Sequence, residues 1–268
     1  MKKINVEVCT GSLQDVITAC RFPIARIELN TALELGGLTP SAGLFLKVKE
    51  ICPVPVMCMV RPRGSGFCYS ETEYEQMLSD AQWLLEHGAG GIVFGFLNEK
   101  DSVDTERTRK MADLIHSFGK TAVFHKAFDL ARDADTALED LISCHVDRIL
   151  TSGHKDTALE GTNTLKHLLE TADGKTEILP GGGIRSGNVL QILTETGTKQ
   201  IHLSASVRLQ DHGSYQAVSA AELNALFSVL NTYSHENSEE RELTGADIEM
   251  LREDRFEEGF QSSEDEER

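Results

Sequence analysis

The chain is predicted to be an α/β protein of the (β/α)8 TIM-barrel class, carrying an acidic C-terminal appendage. Three observations predict it. Short apolar runs alternate with amphipathic stretches eight times. The alternation fills the first 230 or so residues of 268, and a single α/β barrel needs roughly 250 residues. Five of the runs place ionisable residues in phase on one face, opposite their apolar set. Strands alternating with helices imply parallel β-α units. An open doubly wound sheet is the other architecture that this alternation admits. A Gly-rich dinucleotide fingerprint after the first strand would favour it, and Cys9-Thr10-Gly11-Ser12 is not one.

The eight strand candidates are Ile4–Val8, Ala25–Leu29, Val54–Val60, Gly91–Phe96, Thr121–His125, Arg148–Leu150, Glu177–Leu179 and Gln200–Leu203. Most are rich in β-branched residues or Phe, which suit a pleated buried surface. Between them, Glu71–His87, Thr105–Phe118 and Thr157–Thr171 repeat apolar residues at helical spacing, as at Met77, Ala81, Leu84 and Leu85. The barrel is assigned to residues 1–233. From Ser234 the composition changes: Glu239–Glu242 and Glu264–Glu267 are charge runs, and Leu243–Phe256 reads as a short helix with Thr244 as its N-cap. Residues 234–268 are therefore expected to form a peripheral acidic helix and tail, partly disordered.

The formal charge of −17 excludes a protein that coats nucleic acid, which needs a basic face. The charge is uneven: from His235 onward 14 acidic residues face 4 basic ones, a balance of −10. The body thus retains about −7 and room for a local basic site. No window approaches the eighteen apolar residues of a membrane span, and the N-terminus lacks the apolar segment of a secretory signal. Six cysteines (Cys9, Cys20, Cys52, Cys58, Cys68 and Cys144) form no CxxC pair and mostly sit in apolar runs, as befits a reducing, cytoplasmic compartment.

Strand side chains alternate inward and outward, so polar residues in phase reveal the lumen of a barrel. Asn5, Glu7 and Cys9 share a face; so do Arg26, Glu28 and Asn30; so do Met57, Met59 and Arg61. His125 alternates with Phe124, and His202 and Ser204 alternate with Ile201 and Leu203. A purely structural lumen is filled by Val, Ile and Leu. Glu7, Glu28, Arg61, His125 and His202 in their place read as a site, or as a buried ion-pair network that orders one. Histidine titrates nearest neutral pH, so His125 or His202 is a candidate to move a proton, with Glu7, Glu28 and Asp129 as orienting groups or base. Arg61 and Arg63 end an apolar run as two planar donor forks and are candidates to clamp a carboxylate or phosphate. Pro180-Gly181-Gly182-Gly183 leads into a helix, and Ser204 follows the last strand. That corner of a barrel often holds phosphate, although a tight turn explains the glycines equally well. Lys126 follows His125 by one and is expected to point away from the lumen.

The motifs VEVCTGS, ARIELN, GGLTPS, RPRGSGFCYS, FHKAFD, ILTSG, PGGGI and HLSAS occur in the order found in the CutC copper-homeostasis family, which residues 4–210 resemble. The resemblance implies a cytoplasmic (β/α)8 barrel, often homo-oligomeric, associated with copper handling and in some members with Cu(I) binding. Members proposed to bind Cu(I) carry one cysteine at the position of Cys9 and a second after the Glu-Leu of the second strand. Here that second position is Asn30, a poor donor for a soft ion. The remaining soft set is Cys9, Met57, Met59 and Cys68. Two functions follow as expectations: copper homeostasis, with Cys9 as the metal ligand, or a TIM-barrel enzyme acting on a small anionic, phosphorylated or hydroxylated metabolite at the C-terminal mouth.

Overall fold

A computed structural model of the chain describes residues 4–233. Eight strands run parallel: β1 (Asn5–Thr10), β2 (Arg26–Leu29), β3 (Val56–Met59), β4 (Gly91–Phe94), β5 (Thr121–Phe124), β6 (Arg148–Thr151), β7 (Glu177–Pro180) and β8 (Gln200–Leu203). Their order in the sheet is β7-β6-β5-β4-β3-β2-β1-β8. A parallel bridge between Gly181 and His202 joins the two ends, and Gln200 Nε2 donates to the Ile178 carbonyl at 3.1 Å across the same seam. The sheet is thereby a closed barrel, and every strand-forming run expected from the sequence contributes to it.

Helices α1 (Leu13–Ala19), α2 (Ala42–Ile51), α3 (Glu71–Glu86), α4 (Thr105–Ser117), α5 (Ala134–Ser143), α6 (Thr162–Ala172) and α7 (Val189–Thr196) cover the outside, followed by a last helix over 220–233. Their starts are written locally. Ser12, Ser41, Ser70, Asp104 and Asp133 each accept a backbone N–H of the first turn, and Ser70 with Glu73 completes a capping box. Each such cap is worth about 1 kcal/mol. α6 begins at Thr162, five residues later than the apolar spacing suggests. Thr157 and Glu160 first close a turn of their own, with the Glu160 carboxylate accepting the Thr157 N–H at 3.1 Å.

Outward strand residues such as Val6, Val8, Ile27, Leu29, Phe94 and Phe124 are fully buried against the helices in one large core. Inside the barrel the apolar filling is small: Met57, Met59, Val93 and Val123 form a separate cluster. The remainder of the lumen is polar, with Glu7, Arg26, Glu28 and Arg148 all buried.

After β8 the chain forms an antiparallel hairpin, β9 (Ser206–Gln210) with β10 (Ser214–Val218). Val207 and Leu209 alternate with polar neighbours and face Ala217 and Tyr215 across the pair, although most of the hairpin is exposed. Asp15 anchors it: its Oδ1 accepts the Val218 N–H at 2.8 Å while Oδ2 accepts the Gly11 N–H at 3.1 Å. The acidic appendage expected over 234–268 lies outside the described residues.

Candidate functional site

Strand register assembles the site. On the parallel ladder Glu7 of β1 lies opposite both Arg26 of β2 and His202 of β8, and Cys9 lies opposite Glu28. Side chains that neighbour one another across strands on the lumen face must touch. Glu7 Oε1 accordingly binds His202 Nδ1 at 2.7 Å, and its Oε2 accepts from Arg26 Nε. Arg26 Nη2 continues to Gln200 Oε1 at 2.7 Å. One turn of the ladder nearer the mouth, Asn30 Nδ2 donates to Glu28 Oε2 at 2.8 Å and to Cys9 Sγ at 3.4 Å.

Above this network lies a cavity of about 150 Å3, lined by Cys9, Glu28, Asn30, Arg61, His125 and His202, with Met59, Phe67, Leu150 and Lys126 completing its wall. Among the described residues, four buried atoms of this wall have no hydrogen-bond partner: Glu28 Oε1, Asn30 Oδ1, Arg61 Nε and His125 Nε2. A buried polar atom left unpaired costs about 1–3 kcal/mol, so four together in one small cavity mark a place where something else is meant to bind.

The environment sets distinct protonation states. Burial alone would raise Glu7, but the His202 hydrogen bond and the charges of His202, Arg26 and Arg148 outweigh it and bring the carboxyl down to about 2. Burial pulls His202 the other way, towards neutrality, and the negative Glu28 and Glu7 beside it overcome that and raise its proton affinity. Glu28 is raised, chiefly by burial and further by the Glu7 charge. Cys9 is raised well above the ordinary thiol range by burial and by Glu28. His125 is pushed down to about 3 by burial and by the Arg61 guanidinium. Its Nδ1 accepts the Ala127 N–H at 3.1 Å, so the neutral ring carries its proton on Nε2 and presents a donor to the cavity. Gly95 makes room for that ring: a Cβ there would fall 2.5 Å from His125 Cε1.

A histidine kept neutral has a measurable consequence. Between pH 6.5 and about 3 the unfolded chain binds a proton at His125 that the folded chain refuses. Stability therefore falls as pH drops through that window and is unaffected above it. Asn at 125 can still accept the Ala127 N–H without titrating. Urea midpoints at pH 7 and pH 4 should differ more for the native protein than for His125→Asn; equal differences would show that His125 is not held neutral.

The structure separates the sequence candidates. Glu28, Arg61, His125 and His202 line the cavity, and Glu7 backs His202 from below. The two-arginine clamp does not form. Arg61 Nη1 donates to the carbonyls of Leu35 (3.1 Å) and Gly37 (3.2 Å), Nη2 donates to Ser65 (2.8 Å), and the group lies 4.9 Å over the Phe67 ring, while Nε is buried without a partner. Arg63 stands outside the cavity, paired with Glu73 and bonded to the Gly64, Gly66 and Cys68 carbonyls. Asp129 is committed to its neighbours: it accepts from the hydroxyls of Thr151 and Ser152 and from the backbone N–H of Ser152 and His154. Gly181, Gly182, Gly183 and Ser204 are not among the cavity residues. Gly181 serves the barrel seam, Gly182 and Gly183 take φ of +111° and +68°, and Ser204 Oγ donates to Ser206. The N–H of Ser186, ahead of α7, donates to Glu222 Oε1 at 2.8 Å, so a carboxylate of the protein already occupies that position.

Lys126 corrects the alternation rule. It lines the cavity, because β5 ends at Phe124 and a 3-10 turn over Lys126–Leu130 replaces the two-residue period. Asn30, placed in phase with Glu28 but not named among the site residues, is part of the wall. Its in-phase position with Glu28 was the available signal.

Cys9 Sγ, a Glu28 oxygen and a His202 nitrogen all lie within 4.8 Å of one another, close enough to share one metal ion. One thiol, one imidazole and one carboxylate form a borderline donor set rather than a purely soft one.

Comparison with known proteins gives this geometry a lineage. The sequence profile described as the CutC family matches residues 4–207. The chain belongs to the CutC family. A CutC family protein of Treponema denticola is 44% identical over 211 residues, 79% of this chain and 85% of its own length. The human copper homeostasis protein cutC homolog is 40% identical over 200 residues, 75% of this chain and 72% of its own length. The crystal structure of the CutC protein from Streptococcus agalactiae superposes with a TM-score of 0.71 at 31% identity, covering 75% of this chain and 98% of that one. A phosphoribosyl anthranilate isomerase from Thermococcus kodakaraensis, at 13% identity and a TM-score of 0.54, shares the barrel fold alone. The shared CutC segment contains the whole candidate site, from Glu7 to His202. Among the described residues no helix is long and apolar enough to cross a membrane.

Proposed function

We propose that the barrel mouth binds a small oxygen-rich metabolite, an anion or a hydroxy-carbonyl compound, and exchanges a proton with it in the cell interior. The observation that carries this reading is the set of four unpaired atoms around one cavity. Two are N–H donors, on Arg61 and His125, and two are oxygens, on Glu28 and Asn30. A bare cation can satisfy the oxygens and not the donors; a small molecule with both carbonyl and hydroxyl groups satisfies all four. Arg61 Nε–H and the neutral His125 Nε2–H would hold an oxygen on which negative charge develops. Glu28, whose proton affinity burial raises, and His202, whose proton affinity Glu28 and Glu7 raise, are the acid–base pair. Proton transfer beside a carbonyl is the reaction class that this division of donors and bases serves.

Thermal-shift screening with small carboxylates, sugar phosphates and hydroxy acids tests it. A ligand is expected that stabilises the native protein and loses at least tenfold in affinity with Glu28→Gln and with His125→Asn. A panel without hits, or hits indifferent to both variants, would remove the support for this reading.

A second reading, copper handling with the ion as cargo, is favoured by the convergence of Cys9, Glu28 and His202 and by the names of the human and mouse relatives. Cys9 and His202 are the softer donors of the three and would carry the ion. Titration of Cu(I) against a competing chelator should show one tight equivalent that Cys9→Ser abolishes; equal affinity in the variant would exclude this site.

A further inference from the structure

Two cysteines that no motif connects meet on the outside of the barrel. Cys20 closes the C-terminus of α1 and Cys52 closes that of α2, and their sulfurs lie 3.6 Å apart. Both side chains are partly buried against the edge of the core, and neither belongs to the cavity. A disulfide needs the sulfurs at about 2.05 Å, so the pair must close by roughly 1.5 Å. The Cys20 S–H points at Cys52 Sγ, and the Cys52 S–H donates in turn to the Val54 carbonyl at 3.4 Å. Cys20 holds its own proton firmly, pushed up to about 12 by burial and by Cys52.

We propose that Cys20 and Cys52 form a redox-active thiol pair that closes to a disulfide by exchange with an oxidised low-molecular-weight disulfide. Cys52, on losing its proton to solvent, attacks one sulfur of the small disulfide, and the S–S bond breaks to release one small thiol. Cys20 then gives up its proton and attacks Cys52 Sγ, displacing the second small thiol. Two protein thiols are oxidised and one small disulfide is reduced to two thiols, with no other oxidant. The closed loop spans residues 20–52. It contains β2, with Arg26, Glu28 and Asn30, and the Leu33–Leu35 turn beside the cavity. Oxidation thus staples the segment that supplies one wall of the site.

The test is a peptide map of the full-length protein after exposure to excess glutathione disulfide at pH 8, with alkylation before digestion. The expected product is a linked Cys20–Cys52 peptide, two hydrogens lighter than its parts, while exposed Cys68 carries a glutathione adduct. In Cys20→Ser, Cys52 should retain glutathione, because no partner resolves it. The oxidised native protein should melt roughly 5–10 °C above its reduced form, as closure of a loop of this length implies, and Cys20→Ser should show no such rise. Cys68 modified while Cys20 and Cys52 both remain alkylatable would overturn the proposal. So would a stable glutathione adduct on either thiol in the native protein, or a lower melting point on oxidation.

Discussion

Arg61→Ala is expected to lower stability by about 3–5 kcal/mol and to abolish ligand binding at the mouth. The guanidinium is 6% exposed and joins two loops: it donates to the Leu35 and Gly37 carbonyls after β2 and to the Ser65 carbonyl after β3. Hydrogen bonds to a charged group are worth about 1.5–3 kcal/mol each, and truncation strands all three carbonyls without a donor. The face of Phe67 loses its cation as well. Water entering the vacated space offsets part of the loss, which sets the estimate below the simple total. For a chain of this size the melting temperature should fall by roughly 10 °C. Arg61→Lys should rescue little, because one ammonium cannot reproduce a planar fork reaching both loops. An unchanged urea midpoint in Arg61→Ala would refute the view that this residue shapes the mouth.

Glu7→Gln carries the second large effect. Glu7 is 1% exposed and faces Arg26 and His202 at once, with Arg148 near enough to lower its proton affinity further. The amide keeps the shape and removes the negative charge that both partners contact. Breaking a buried pair from one side leaves an uncompensated charge and costs about 3–5 kcal/mol. The double variant Glu7→Gln/Arg26→Gln should lose less than the two single variants added together, because it removes the stranded charge along with its partner. Additive losses in denaturant unfolding would mean that the two residues do not act as a pair. Both experiments address the same architectural fact, that the barrel is filled by charge where most barrels are filled by branched aliphatics.

Much of this fold was legible in the chain. The eight runs are separated by helix-length segments whose N-caps are written in Ser and Asp, and those signals are local. The lumen set was legible for the same reason: residues two apart on a strand share a face whatever the strand packs against. Legibility ended where the two-residue period ended. Strict alternation through His125 points Lys126 outward, and the 3-10 turn that follows Phe124 brings it to the cavity instead. The hairpin after β8 carried a signal in the alternation of Val207 and Leu209 with Ser206, Arg208 and Gln210, but one five-residue run in a largely exposed segment is weak evidence for a strand.

Local periodicity and motifs specify the barrel, the polar character of its lumen and the family to which both belong. Only the tertiary structure decided how those residues are used. Arg61 and Arg63 are two positions apart and chemically alike in sequence. One reaches the cavity and braces two loops, and the other is paired with Glu73 at the start of α3. Cys20 and Cys52 are thirty-two positions apart and meet at 3.6 Å. Strand register, loop geometry and helix packing set these distances. They arise from contacts between segments remote in the chain, which local periodicity does not encode.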